Sequence, residues 1–220
     1  MNPILRRIIT ALSTAALVVL AIVYAPTKVL SPVFSVLMAL AVFEFALLLR
    51  KKVPLLSGRG VFGLLVGFAV IAGGLSALPA SAVVKGDNLW MLYLIAIVKL
   101  SDMGGFAFGL SSAKLMRGGN HKLCPTISPN KSWEGLFGSV LASVLMSCAW
   151  MPFTHFAWPK AVVFGLVAAL VGTFGDLVES KFKRWVGVKD SATFMPAGLG
   201  GFLDMFDSLL FAPAVLLPFI

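Results

Sequence analysis

From Ile8 to Ile220 the chain repeats one pattern: an apolar run long enough to cross a bilayer, then a short break rich in basic residues, glycine or proline. A span needs about 20 predominantly apolar residues, and lipid cannot satisfy open backbone groups. Such a chain can therefore fold as a bundle of membrane helices and as little else. The runs are Ile8–Ala25, Val29–Leu49, Val61–Ala80, Leu89 to about Gly105, Trp133–Met151, Ala161–Leu177 and Phe202–Ile220. The spacing predicts an all-α polytopic membrane bundle of about seven helices, built as one integral membrane domain over residues 1–220. No segment is long and polar enough to form a second, soluble domain. The first run follows Arg6 and Arg7 and is read as a retained helix, because Ala25-Pro26 is a poor cleavage context.

Composition excludes the functions that a charge of +9 would otherwise suggest. Hydrophobic residues make up 59% and charged residues 12% of the 220, so the excess of Lys and Arg belongs to loops facing anionic lipid, not to a nucleic-acid surface. With the N-terminus inside, fourteen of the eighteen basic residues fall on the cytoplasmic side: Arg6, Arg7, Arg50, Lys51, Lys52, Arg59, Lys114, Arg117, Lys122, Lys131, Lys181, Lys183, Arg184 and Lys189. Lys28, Lys85 and Lys160 fall outside, and Lys99 lies within a span. This bias predicts N-in, C-out. The two cysteines, Cys124 in a basic loop and Cys148 in an apolar run, do not make a disulfide framework.

Chemistry concentrates in Gly175–Ser208, which holds five of the nine carboxylates: Asp176, Glu179, Asp190, Asp204 and Asp207. Four cations, Lys181, Lys183, Arg184 and Lys189, share the stretch. On a helix, Asp176, Glu179, Ser180 and Lys183 line one face, and Asp204, Asp207 and Ser208 repeat the spacing on the next. The Gly/Pro-rich turn Pro196–Gly201 lies between them. Two carboxylate faces beside a cationic segment suit a divalent metal and a phosphorylated substrate. There is no zinc-type His/Cys cluster and no GxxxxGK[ST] loop, which leaves Mg2+ with a nucleoside triphosphate as the best fit.

Three other places carry charge into apolar surroundings. Lys99 and Asp102 in the fourth run form either an internal ion pair or a contact to substrate or metal. The basic segment Ser111–Gly135 ends at a helix start that Ser132 can cap. It is either an anion site at a helix N-terminus, with Lys131 beside it, or a headgroup-binding loop with an ordinary cap. Glu44 in the second run is read as a carboxylate reaching the interface or pairing with nearby Arg or Lys. His121 and His155 are read as ordinary polar residues.

In their order and spacing, these segments resemble the phosphatidate cytidylyltransferases (CDP-diacylglycerol synthases). Ser128-Pro-Asn-Lys-Ser-Trp-Glu-Gly135 resembles that family's SPxK[ST]WEG segment. Gly175-Asp-Leu-Val-Glu-Ser180, Lys183-Arg184 and Lys189-Asp190 resemble its GDLxES…KR…KD signature, and Asp102-Met-Gly-Gly-Phe106 its DxxAY-type segment. Gly200-Gly201 followed by Asp204 and Asp207 resembles the closing HGGxxDRxD, with two departures: Leu199 stands for the histidine and Met205 for the arginine. The resemblance covers residues 102–208, which would make 101–220 the catalytic half and 1–100 N-terminal spans. It implies transfer of a cytidylyl group from CTP to phosphatidic acid, giving CDP-diacylglycerol and pyrophosphate, on the cytoplasmic side of a bacterial inner membrane. Asp176 and Asp204 would be the principal Mg2+ ligands, with Asp207 and Glu179 in support and room for a second cation. Lys131, Lys183, Arg184 and Lys189 would hold phosphates. Asp102, Ser128, Glu134, Ser180, Asp190, Gly200 and Gly201 would line the substrates. The partners implied are CTP, a lipid phosphate and membrane lipid, with a homodimer left open. The departures keep other readings open: a CTP-dependent transferase or kinase acting on another lipid phosphate or a polyprenol, or a transporter or degenerate homologue of the same fold.

Overall fold

A computed structural model describes residues 13, 16–116, 119–188, 191 and 201–220. Helix α1 is described over 16–24, followed by α2 (Thr27–Arg50), α3 (Gly58–Lys85) and α4 (Leu89–Leu115). A short hairpin of β1 (Lys122–Cys124) and β2 (Ser128–Ser132) leads into α5 (Trp133–Ala149), a single turn α6 (Met151–Thr154) and α7 (Trp158–Val186). The chain closes with α8 (Phe202–Phe206), a 3-10 turn (Asp207–Leu210), α9 (Ala212–Leu216) and a last 3-10 turn (Leu217–Phe219).

The helix ends follow local chemistry. Pro26 precedes α2, and Arg50 sits in its last turn against the negative end of the helix dipole. Ser57 caps α3, accepting the Gly60 amide at 3.1 Å. Helix α7 ends at Gly187 in the left-handed region, φ 86°, whose amide closes onto the Lys183 and Arg184 carbonyls.

Among the described residues, five segments are long and apolar enough to cross a membrane: α2, α3, α4, α7 and Phe202–Phe219. Helix α5 is apolar but only 17 residues long. Large apolar side chains such as Phe62, Leu65, Phe137 and Phe174 lie exposed on these helices, as expected where the surrounding medium is lipid. The architecture is an all-α bundle of an integral membrane protein, with the small hairpin as its one described β element.

Lipid gives helices no hydrophobic reason to associate, so close backbone packing must supply much of the attraction. Glycine supplies it here. A Cβ at Gly104 would strike the Gly138 carbonyl and Ala142, and one at Gly138 would strike Phe108. Helices α4 and α5 thus meet backbone to backbone. Deeper in the bundle, Tyr93 and Ser147 share a hydrogen bond of 2.8 Å, a contact worth about 0.6 kcal/mol in a membrane interior. Two apolar clusters complete the core. One surrounds Trp90, Tyr93, Ile97 and Phe164; the other joins Ala41, Ile71, Leu75, Leu203 and Leu210.

Several expectations change. The fourth and sixth runs continue well past Gly105 and Leu177, to Leu115 and Val186, because no proline interrupts them. The last run is a broken segment instead of one helix, and Asp207 and Ser208 lie on its 3-10 turn. Pro213 and Pro218 lack backbone donors. Unsatisfied backbone groups in lipid cost several kcal/mol each, so the break needs polar cover. Lys99 Nζ donates to the Met205 carbonyl at 3.1 Å, and the Ser208 amide donates to Asp207 Oδ1 at 2.6 Å. Gly74 seats the break against α3, since a Cβ there would strike the Leu210 backbone. The basic segment after α4, expected as a loop, contains the antiparallel hairpin, with Lys122 opposite Ser132 and Cys124 opposite Ser128.

Candidate active site

Strand β2 and the start of α5 carry the first half of the site. Ser132 is extended and caps α5, accepting the Gly135 amide at 3.0 Å. Glu134, in the first turn, accepts the His121 amide at 3.2 Å and meets the His121 ring at 2.7 Å. It therefore fastens the hairpin to the helix. His121, read as an ordinary polar residue, is a partner in that fastening. Lys131 points the other way, toward α7, where its Nζ donates to Asp176 Oδ2 at 2.7 Å and to the Thr173 carbonyl at 3.4 Å.

Helix α4 and the broken segment bring the second half. Ser208 donates to Asp102 Oδ2 at 2.8 Å, and Lys99 Nζ lies 3.5 Å from the same oxygen. Lys99 also donates to Ser208 Oγ at 3.1 Å. The Lys99–Asp102 ion pair thus exists, and it ties α4 to the 3-10 turn. Asp102, Asp176 and Asp207 stand near enough for their charges to act on one another. A cavity of about 270 Å3 opens here, lined by Asp102, Ser128, Asn130, Lys131, Thr173 and Asp176.

A second polar group lies further along α7. Lys183 bridges Glu179, at 2.5 Å, and Asp204, at 2.6 Å. Asp204 Oδ2 also accepts the Ser191 and Gly201 amides, each at 3.0 Å. Asp176 and Asp204, expected as joint ligands of one ion, thus belong to two neighbouring groups, each neutralised by its own lysine. Arg184 donates to the Val188 carbonyl, at 3.5 Å, from an exposed position. Ser180 is partly buried beside Glu179 on α7. Lys189, Asp190 and Gly200 lie outside the described residues, as does Leu199.

Glu44 is not at the interface. It is 1% exposed and accepts the Leu203 amide at 2.8 Å and the Ser191 hydroxyl at 3.4 Å. Its signal in the sequence was a carboxylate inside an otherwise apolar run. Ser208 had its signal in the spacing it shares with Asp204 and Asp207; Ser191 carried none, because a serine between charged residues reads like any loop serine.

The donor set fits a hard divalent cation. Asp176 Oδ1 is buried with no hydrogen-bond partner, as is Glu179 Oε1, and an orphaned carboxylate oxygen is costly unless something binds it. Among the described residues, no three His, Cys, Asp or Glu side chains are already gathered around one point. Lys131 and Lys183 hold the carboxylates in the meantime.

The chain matches the model of the Cytidylyltransferase family over residues 5–220. It is 45% identical over 124 residues to a protein named phosphatidate cytidylyltransferase from Staphylococcus aureus (strain COL), covering 56% of this chain and 45% of that one. It is 44% identical over 124 residues to one of the same name from Staphylococcus epidermidis, over the same shares. The Staphylococcus haemolyticus protein of that name is 42% identical over 131 residues, 58% of this chain and 47% of its own length. The chain spans about half the length of the curated relatives it matches. With a family match from residue 5 to residue 220, this chain belongs to the Cytidylyltransferase family.

Proposed function

We propose that this chain transfers a cytidylyl group from CTP to phosphatidic acid, forming CDP-diacylglycerol and releasing pyrophosphate. The observation that carries the reading is Asp176, with one oxygen on Lys131 and the other buried without a partner, at the wall of a cavity that Asp102 also lines. Family membership and the relatives' names support nucleotidyl transfer over transport or phosphorylation.

In this reading Asp176 and Asp207, with Asp102 well placed to join them, would hold Mg2+ in one group, and Asp204 would hold it in the neighbouring group, with room for a second cation. When bound, Mg2+ supplies charge neutralisation at the phosphates. A phosphate oxygen of the lipid attacks the α-phosphorus of CTP. The bond from that phosphorus to the bridging oxygen of the β-phosphate breaks, and pyrophosphate leaves with the electron pair. Such transfer needs positioning and countercharge more than a protein nucleophile. Lys131 and Lys183 provide the countercharge once released from their carboxylates, with Arg184 and Lys189 at the cytoplasmic rim. Ser128, Glu134, Glu179, Ser180, Asp190, Gly200 and Gly201 complete the substrate walls.

The topology proposed is seven spans in one domain, N-terminus in and C-terminus out, in a bacterial inner membrane. The charge bias supports it, and it places the site where a soluble nucleotide and a membrane lipid meet. The test is incubation of the purified protein with CTP, Mg2+ and a panel of lipid phosphates. Product with phosphatidic acid and none with polyprenyl phosphate is expected. Product only with polyprenyl phosphate would replace the proposed substrate.

A further inference from the structure

We propose that Glu44 is a positioning residue for Asp204, acting from α2, which lends no residue to the lining of the proposed nucleotide cavity. The proposal rests on the cytidylyl-transfer reading for its catalytic consequence, though not for its geometry.

A carboxylate among the apolar side chains of α2 is costly to bury unless its oxygens are well occupied. Helix packing alone would be served better by leucine or alanine. What Glu44 occupies is the start of α8. The Leu203 amide belongs to the first turn of that helix, where amides have no intrahelical acceptor. It donates to Glu44 Oε2 at 2.8 Å from 159 residues along the chain.

The same oxygen accepts the Ser191 hydroxyl at 3.4 Å. A carboxylate can only accept, so the hydroxyl proton turns toward Glu44. The Ser191 oxygen itself accepts the Asp204 amide, at 3.3 Å, while the Ser191 amide donates to Asp204 Oδ2 at 3.0 Å. Glu44 therefore sets the direction of the serine that grips Asp204 at both its backbone and its side chain. Asp204 in turn holds Lys183 at 2.6 Å.

Gly201 supplies independent support. Its φ of −93° is open to any residue, so backbone conformation does not demand glycine. Space does: a Cβ there would fall on the Glu44 carboxylate and on Ser191 Oγ. Glycine at this position is what lets the α2 carboxylate reach the α8 start.

Four variants in the full-length protein test this: Glu44→Ala, Glu44→Gln, Gly201→Ala and the double variant. Glutamine keeps an oxygen that can accept both the Leu203 amide and the Ser191 hydroxyl. Glu44→Ala is expected to lower kcat by about ten- to a hundredfold, the scale of a small misplacement at a reacting centre. The KM for phosphatidic acid should not change, and the Mg2+ concentration for half-maximal rate should rise. Glu44→Gln should recover most of the rate. Gly201→Ala should lower kcat likewise, and by less when Glu44 is already alanine, since the two act on one contact. Hydrogen exchange over residues 201–207 should quicken in Glu44→Ala and stay near wild type in Glu44→Gln. Wild-type kcat and wild-type exchange in Glu44→Ala would overturn the proposal. If Glu44→Ala does not fold, Gly201→Ala at the wild-type rate would overturn it instead. If the wild-type protein turns over no CTP, the reaction reading fails, and the exchange arm still decides whether Glu44 holds Asp204.

Discussion

Lys131 and Asp176, 45 residues apart, meet at 2.7 Å and join the end of the hairpin to the middle of α7. This one contact closes the cavity wall. It also leaves Asp176 Oδ1 as a buried acceptor with nothing donating to it. The pair sets a choice about Lys131. It is either a stopper on a carboxylate or a cation held ready for phosphate.

Lys131→Met decides between them. Charge-assisted hydrogen bonds contribute about 1.5–3 kcal/mol, or roughly ten- to a hundredfold in rate. The account expects kcat/KM for CTP to fall by that order, with the protein still folded in detergent. A rise in kcat/KM would mean that Lys131 only blocks Asp176.

Asp176→Asn and Asp204→Asn separate the two polar groups. Both should abolish Mg2+-dependent turnover. Asp204→Asn should cost more stability than Asp176→Asn, by about 1–3 kcal/mol, because Lys183 and the Ser191 and Gly201 amides all lean on Asp204, where Asp176 holds Lys131. Thermal unfolding in detergent measures the difference. Equal melting temperatures for the two variants would contradict the bridging role of Asp204.

Met205 stands where the family pattern leads one to expect arginine, and its side chain is 48% exposed. Its hydrogen bonds are made by the backbone: the amide donates to the Gly201 carbonyl at 3.2 Å and the carbonyl accepts from Lys99 at 3.1 Å. Met205→Arg should therefore fold normally and leave turnover equal or higher, as an added arginine can contact phosphate in a bidentate manner. Lost activity with an intact fold would show a site rebuilt around an apolar group.

Orientation is open to direct labelling. In a background with Cys124 and Cys148 replaced, a cysteine at the exposed Lys52 should react only from the cytoplasmic side, and one at the exposed Lys85 only from outside. The reverse pattern would remove the site from the compartment that holds CTP.

Much of this was legible in the chain itself. Apolar length gave the spans, and charged residues inside them marked Lys99, Asp102 and Asp176 as costly and so purposeful. Ser132 was readable as a cap because serine before a helix start has a specific use. What sequence could not give was pairing across the fold. Nothing along the chain says that Lys183 bridges Glu179 and Asp204 while Lys131 takes Asp176. Nor does it say that Glu44 reaches α8 instead of the nearby Arg50 and Lys51 cluster that the charges suggested. The break at Phe206–Asp207 was missed because periodicity continues across it. Lys99 and the Asp207 carboxylate cover the break through hydrogen bonds to the backbone, which leave no period in the sequence.

The fate of the two ends of CTP tests the central claim most directly. Purified protein is given Mg2+, phosphatidic acid and CTP labelled at either the α- or the γ-phosphorus. The account predicts that α-label enters the lipid fraction as CDP-diacylglycerol and γ-label appears in soluble pyrophosphate, with neither transfer in Asp176→Asn. Label from the γ-phosphorus in the lipid would make the protein a kinase. No transfer of either label by the wild-type protein would contradict the account altogether.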